Sequence, residues 1–597
     1  MIDYEKLTAE YLKNSFPLFF TIARQAPDLE QVRERLALLV TQLENDAYHR
    51  VSQANNSSQV CVRDCARVMR SMLRDRADSL SGFSIAQAIS DLARDIPRPD
   101  LQPPFFAELY NILHGLHGMG PNLVLMDIPL ESPELHGRPA AIARSRQLDA
   151  LWENVEQRMA RYVSGLEPEI VALRQQRRDA IIDRLGGTLE EWHDWRWHLR
   201  HIVRDVDQLA ELVDLTEVER RAVASARKRK VPFGVTPYYL SLMDPDPTGR
   251  DRSIRAQVLP PPDYVEKLSL ARTRHDESLD FMLEKDTSPC DLITRRYPAI
   301  CIFKPFNTCP QICVYCQRNW EIDDAMAPGA LASEDQIAAA VDWIRSRPAI
   351  KEVLITGGDP LALDDQTLED ILSRVAGIST VERLRIGTRT LVTMPMRITP
   401  ALAEMISSFR QPGRREVAVV THVQHVYEVT PDVVEAVDNF HQRGIPVYNQ
   451  MVYTFFASRR FESVALRRLL RLVGIDPYYT FNTKGKEETD AYRVPIARLL
   501  QEQKEEARLL PGLGRTDEAV FNVPGLGKNY LRAQQQRDLL SILPDGTRVY
   551  EFYPWEQNIS QSSQTYVGRD VPILRYLERL EELGENAEDY WSIWNYF

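Results

Sequence analysis

The sequence predicts an α/β protein: a parallel sheet crossed by helices, with a large helical region before it and a C-terminal segment after it. Three observations predict this. From Ser333 onward, helix-patterned and strand-patterned segments alternate; residues 1 to about 185 carry apolar positions spaced three and four apart with few strand-like runs; and loops rich in cysteine or glycine directly follow the first two strands.

In chain order, residues 1–185 read as a helical extension, exemplified by LEQVRERLALLVTQLENDAYHRV, whose charged faces are solvated surface. Cys61 and Cys65, one helical turn apart, read as buried small residues, because two thiols alone cannot close a metal site. Residues 186–290 form a second helical region, 291–500 the alternating region and 501–597 the C-terminal region. The first strand is AICIFK at 299–304. SEDQIAAAVDWIRSR is then a helix capped by Ser333, with Gln336 in the reciprocal capping-box position, and leads to the strand KEVLIT. DQTLEDILSRVAG leads to RLRIGTR, PALAEMISSF to EVAVVTHV, PDVVEAVDNFHQRG to PVYNQMVY, and FESVALRRLLRLVG to PYYTFNT, giving six strands. Such a run closes as a full or partial β/α barrel or stays open as a doubly wound sheet, and in each case sites gather beyond the C-terminal ends of the strands.

At 597 residues the chain is long enough for at least two cores. Its 85 acidic residues outweigh 73 basic ones, a net charge of −12 that argues against nucleic-acid or anionic-membrane partners. No stretch approaches the roughly 18 apolar residues of a membrane span, and the acids and lysines of MIDYEKLTAEYLK are no signal-peptide start. Five of the seven cysteines lie between Cys290 and Cys316, which is no disulfide framework, so a cytoplasmic protein is expected.

FNTCPQICVYCQRNW, directly after the first strand, spaces Cys309, Cys313 and Cys316 as C-x3-C-x2-C. Three thiolates can hold three irons of a cubane and leave the fourth open to another ligand, whereas zinc would want a fourth ligand and no His or Cys follows at knuckle spacing. After the second strand comes Gly357-Gly358-Asp359, where absent side chains admit a ligand to the backbone and an acid can meet an ammonium, although such a triplet alone is usually a turn.

The cysteine spacing resembles that of the radical S-adenosylmethionine superfamily. The resemblance implies a [4Fe–4S] cluster whose open iron is chelated by S-adenosylmethionine, a 5′-deoxyadenosyl radical formed when a separate electron donor reduces the cluster, and a role for the Gly-Gly-Asp loop at the methionine amino group. Over residues 190 to 560 the chain further resembles the lysine 2,3-aminomutase family, in WHDWRWHLRH at 192–201, VTPYYLSLMDP at 235–245, RRYP at 295–298, ITGGDPL at 355–361, RIGTRTLVTMPMRITP at 385–400, THVQH at 421–425 and VPGLGK at 523–528. That family implies a partial (β/α)6-type radical SAM barrel and pyridoxal 5′-phosphate carried on a lysine, here Lys528; read without the family, Lys528 is a solvated turn residue. It also implies Arg296 near the cofactor phosphate and Arg318 as the clamp on the substrate α-carboxylate. An arginine four residues after Arg296 in lysine-specific members is Ile300 here, so phosphate contacts differ. The family archetype joins subunits through late zinc cysteines; none follows Cys316, so the resemblance implies neither zinc nor homo-oligomerisation by that route.

The implied reaction is a 1,2-amino shift on a small amino acid. At the two positions that are aspartates in lysine-specific relatives, this chain has Lys484 and Asn522. A buried lysine repels a substrate ammonium and pairs with a carboxylate, so the expected reaction is L-glutamate to β-glutamate, as in glutamate 2,3-aminomutases. The alternatives are lysine 2,3-aminomutase, an isomerase of another acidic amino acid, and a non-catalytic iron–sulfur binding or regulatory protein.

Overall fold

The computed structural model describes residues 2–49, 56–119, 135–245, 247, 249–483, 486–553 and 565–597. Its centre is a nine-stranded sheet in sequential order: β1 (Ile293–Thr294), β2 (Ile300–Phe306), β3 (Glu352–Gly357), β4 (Arg383–Gly387), β5 (Glu416–Thr421), β6 (Val447–Tyr453), β7 (Ile475–Asn482), β8 (Glu518–Val523) and β9 (Gly527–Tyr530). The ladders β2 to β8 are parallel; β1 and β9 are antiparallel edges, and among the described residues no ladder joins them, so the sheet is open. The six strands read from sequence are β2 to β7. The reading is one parallel strand short: β8 is a seventh, and β9 folds back on it as a hairpin.

The crossover helices form where the sequence says they should. Glu334–Arg345 opens on Ser333, whose hydroxyl accepts from Gln336 N while Gln336 reaches back to the Ser333 backbone. Asp365–Ala376, Pro400–Ser407 and Pro431–His441 start on capping Asp364, Thr399 and Thr430, and the last two carry proline at the first helical position. Along β2 burial alternates: Cys301 and Phe303 are closed off, while Ile300 and Ile302 on the other face line a lumen of about 600 Å³.

The described parts of the N-terminal region are mainly helical, and its helices Asn56–Met72, Asp75–Ser81 and Pro103–Leu116 pack against a second, antiparallel sheet made by β10 (Arg537–Ile542), β11 (Arg548–Phe552) and β12 (Tyr566–Arg569). A wholly buried pair, Arg548 with Glu108 at 2.9 Å, crosses that junction, and Arg76 pairs with Glu551 at 2.5 Å. Cys65 is buried and Cys61 half-buried, both against Gly115, where a Cβ would meet Cys65 Sγ at 2.4 Å. Farther along, Tyr162 OH donates to Arg460 O at 2.7 Å and Arg174 to Tyr427 O at 2.5 Å, laying the extension over the loops that follow β5 and β6. No described helix is long and apolar enough to cross a membrane.

Candidate active site

The cysteine loop leaves β2 and is sewn to the loop after β3. Gly358 N donates to Phe306 O at 2.7 Å and Asp359 N to Thr308 O at 2.9 Å. This approach explains both glycines. A Cβ on Gly358 would lie 2.0 Å from Thr308 O, and one on Gly357, whose φ is +113°, would lie 2.7 Å from Arg318 Nη1. Asp359 does not face an open space. Its carboxylate accepts from Thr388 Oγ1 at 2.6 Å, Leu361 N at 3.1 Å, and Arg389 N and Thr390 N at 2.8 Å, so it is committed to holding the loops after β3 and β4 together.

Cys309, Cys313 and Cys316 are unpaired thiols on this loop. Burial pushes the Cys309 thiol well up, helped by Asp359 and the other two sulfurs, and burial and Cys313 push up Cys316. Such thiols become thiolates when a cationic group takes them as ligands, which is the donor chemistry an iron cluster requires. Among the described residues, no three His, Cys, Asp or Glu side chains converge as they would on a single ion. A cubane puts each thiolate on a different iron, so its ligands need no common point. Gln311, within the same loop and buried, leaves both side-chain polar atoms without a hydrogen-bond partner.

Lys528 lies on β9, not in a solvated turn. Residues 524–526 make the turn, and Lys528 is directly opposite Asn522 of β8. Opposed residues of an antiparallel pair point to one face, and both line the lumen. Lys528 Nζ donates to Tyr297 OH at 2.9 Å and lies 4.5 Å and 5.4 Å from the ring centroids of Tyr297 and Tyr479. Arg296 lines the same lumen; its Nη2 donates to Met282 O at 2.6 Å, and its buried Nη1 has no hydrogen-bond partner. Arg318 pairs with Glu321 and, at 3.7 Å, with Glu284, which leaves Nη1 without a hydrogen-bond partner. Burial alone would raise Glu284, but Arg318 and Lys304 outweigh it and hold the carboxyl below its ordinary range. Unsatisfied buried guanidinium nitrogens are costly unless an anion completes them. Two of them, from Arg296 and Arg318, therefore fit a ligand bearing phosphate and carboxylate groups. Lys484 lies outside the described residues.

Sequence reasoning missed several residues here. Tyr297 stood inside the quoted RRYP motif without a role, and Tyr479 inside the strand PYYTFNT. Arg385 on β4, level with Leu354 of β3, lines the lumen, pairs with Glu352 at 2.8 Å and keeps a buried Nε without a hydrogen-bond partner. Lys486 is buried: its Nζ pairs with Glu488 at 2.8 Å and donates to Asn319 Oδ1 at 2.7 Å, bracing the residue after Arg318. His422, after β5, bonds through Nδ1 to Gln450 O at 2.9 Å, and burial pushes its pKa down to about 4, so it is a neutral ring with Nε2 as acceptor.

The sequence matches the radical SAM superfamily over residues 303–457. It is 39% identical to an uncharacterised KamA family protein of Methanocaldococcus jannaschii across 100% of this chain and 99% of that protein. It is 33% identical to glutamate 2,3-aminomutase of Clostridioides difficile, covering 56% of this chain and 74% of the relative. To L-lysine 2,3-aminomutase of Bacillus subtilis it is 34% identical, over 62% and 76% respectively.

Proposed function

Because the chain belongs to the KamA family, which includes lysine and glutamate 2,3-aminomutases, we propose that it is a cytoplasmic, pyridoxal phosphate-dependent radical SAM 2,3-aminomutase that converts L-glutamate to β-glutamate. The observation that carries this reading is a lumen whose lysine, Lys528, lies near two tyrosine rings and whose arginines Arg296 and Arg385 keep unsatisfied nitrogens, on a sheet whose β2 leads into a loop bearing three unpaired cysteines. Cys309, Cys313 and Cys316 would hold a [4Fe–4S] cluster, which would supply reducing power toward S-adenosylmethionine, and Lys528 would carry pyridoxal phosphate, which would supply a ring able to delocalise an unpaired electron.

The chain's own residues bind and orient. Arg318 clamps the substrate α-carboxylate, Arg296 and Arg385 take the phosphate, and Arg385 offsets the arginine that Ile300 replaces. The Gly357-Gly358 backbone offers hydrogen-bonding groups to the S-adenosylmethionine amino group, while Asp359 acts through the loops it holds. Tyr297 keeps Lys528 Nζ in the lumen, and the N-terminal extension and barrel loops exclude water, which preserves a reactive radical. Lys484 and Asn522 meet the distal carboxylate of glutamate, and that charge choice separates glutamate from lysine. The experiment is anaerobic incubation of the reconstituted protein with dithionite, S-adenosylmethionine, pyridoxal phosphate and each of a panel of amino acids. β-Glutamate as the main product supports the reading; β-lysine as the main product would transfer it to the lysine reaction, and no β-amino acid from any member would end it.

A further inference from the structure

Arg389, two residues past the end of β4, ties the cysteine loop to a buried polar network. Its Nη1 donates to Cys313 Sγ at 2.7 Å. Its Nη2 donates to Glu428 Oε1 at 2.8 Å and Tyr239 OH at 3.2 Å, and also to Gln257 Oε1. The side chain is 11% exposed and that of Glu428 0%, so both the ion pair and the N–H···S contact act with little solvent screening. Glu428 is itself pinned, accepting from Tyr239 OH at 2.7 Å through Oε1 and from Gln424 N at 2.6 Å through Oε2. The direction of the guanidinium is therefore fixed by a carboxylate that cannot swing away. Cys316 Sγ, by comparison, accepts from the Arg318 backbone N–H at 3.4 Å.

We propose that Arg389 is a tuning residue for the iron–sulfur cluster: by donating an N–H to the sulfur of Cys313 it raises the cluster's reduction potential. The inference rests on the reading that the three cysteines hold a [4Fe–4S] cluster. Reduction adds one electron, and the added negative charge spreads onto the ligand sulfurs. A donor fixed at one sulfur stabilises the reduced form more than the oxidised form. Replacing Arg389 alone would strand Glu428 as an unpaired buried charge. The double variant Arg389→Gln/Glu428→Gln removes the pair together, keeps the formal charge near the cluster unchanged, and isolates the loss of the charge-assisted N–H···S contact.

The test is a redox titration of reconstituted wild type and double variant, without S-adenosylmethionine or substrate, with dithionite as reductant and the reduced cluster followed by electron paramagnetic resonance. At the wild-type midpoint, the ratio of reduced to oxidised cluster in the variant should fall about tenfold, which is about 59 mV for a one-electron couple. If the double variant does not fold, Arg389→Lys decides by the same criterion, since its single ammonium is drawn to Glu428 and away from the sulfur. An unchanged midpoint in a cluster-loaded variant overturns the inference and leaves the cluster reading intact. Wild-type protein that takes up no cluster overturns the cluster reading itself.

Discussion

Gly358→Ala is the substitution that most directly probes the join between the two loops. The added methyl carbon would sit 2.0 Å from Thr308 O, 2.3 Å from its N and 2.6 Å from its C, against an ordinary contact of at least 3.4 Å, so the loops must separate by about 1.4 Å. All three atoms are backbone, and the next residue is Cys309; no rotamer change relieves the clash. Separation breaks the bonds from Gly358 N to Phe306 O and from Asp359 N to Thr308 O. Two hydrogen bonds at about 1 kcal/mol each and overpacking at about 1–3 kcal/mol give a loss of about 3–5 kcal/mol. Gly512→Ala is the control: nothing lies within 4 Å of its Cβ position and its φ is not positive, so its effect should stay within about 0.5 kcal/mol. Calorimetric melting and iron per chain after anaerobic reconstitution are the readouts. Gly358→Ala should melt earlier and hold markedly less iron than Gly512→Ala. Matching melting and iron content in the two variants would refute the argument that the missing Cβ is what lets the cysteine loop close.

Cys313→Ala should abolish cluster and turnover together, as iron and sulfide analysis and product assay would show; near-stoichiometric zinc with no iron uptake in the wild type would contradict the donor-set argument. Borohydride reduction of the pyridoxal-loaded protein followed by peptide mapping should place the label on Lys528, and label on Lys486 would mean that the wrong lysine has been given the cofactor. Glutamate should be preferred over lysine by about a hundredfold or more, because each 1.4 kcal/mol of a like-charge contact is about tenfold, and Lys484→Asp should depress glutamate turnover far more than lysine turnover in steady-state assays. Burial would raise Glu462, but Arg459 and His425 hold it down at about 2 from an ordinary 4.5. Its contribution to stability is therefore complete above the ordinary glutamate value and lost as pH falls toward 2. Glu462→Gln should flatten that acid limb in chemical denaturation.

The parts of the fold legible in the sequence are those in which a local rule and the tertiary structure agree. Ser333 with Gln336 announced a helix that forms with its reciprocal cap, and short β-rich runs after each helix became β3 to β7. The segment between β7 and β8 was opaque because burial there does not follow hydrophobicity. Arg498, Glu502, Glu505 and Glu506 are all buried, with Arg498 paired to Glu506 at 2.8 Å and Glu502 to Arg467. Charges that cancel inside a core look like a solvated surface in a sequence. With that crossover hidden, the strand after it was missed, and Lys528 was left in a turn when pairing with β8 puts it on a strand.

The site was legible as far as motifs are contiguous. The cysteine spacing and the Gly-Gly pair each sit on one loop, and one close backbone approach between those loops explains the glycines. Tyr297, Arg385 and Arg389 had no readable role because each meets its partner across the fold: Tyr297 meets Lys528 at 231 residues' separation and Arg389 meets Cys313 at 76. Arg318 and Arg296 were readable only through family likeness, and what the structure adds is that each retains a buried donor in want of an acceptor.

The most direct test of the central claim follows the nitrogen. Reconstituted protein is incubated with ¹⁵N-labelled L-glutamate and excess unlabelled ammonium, and the product nitrogen is read by nuclear magnetic resonance. An intramolecular 1,2-shift predicts β-glutamate with the ¹⁵N retained at C3. Unlabelled nitrogen at C3, or glutamate recovered unchanged by protein fully loaded with cluster and pyridoxal phosphate, would contradict it.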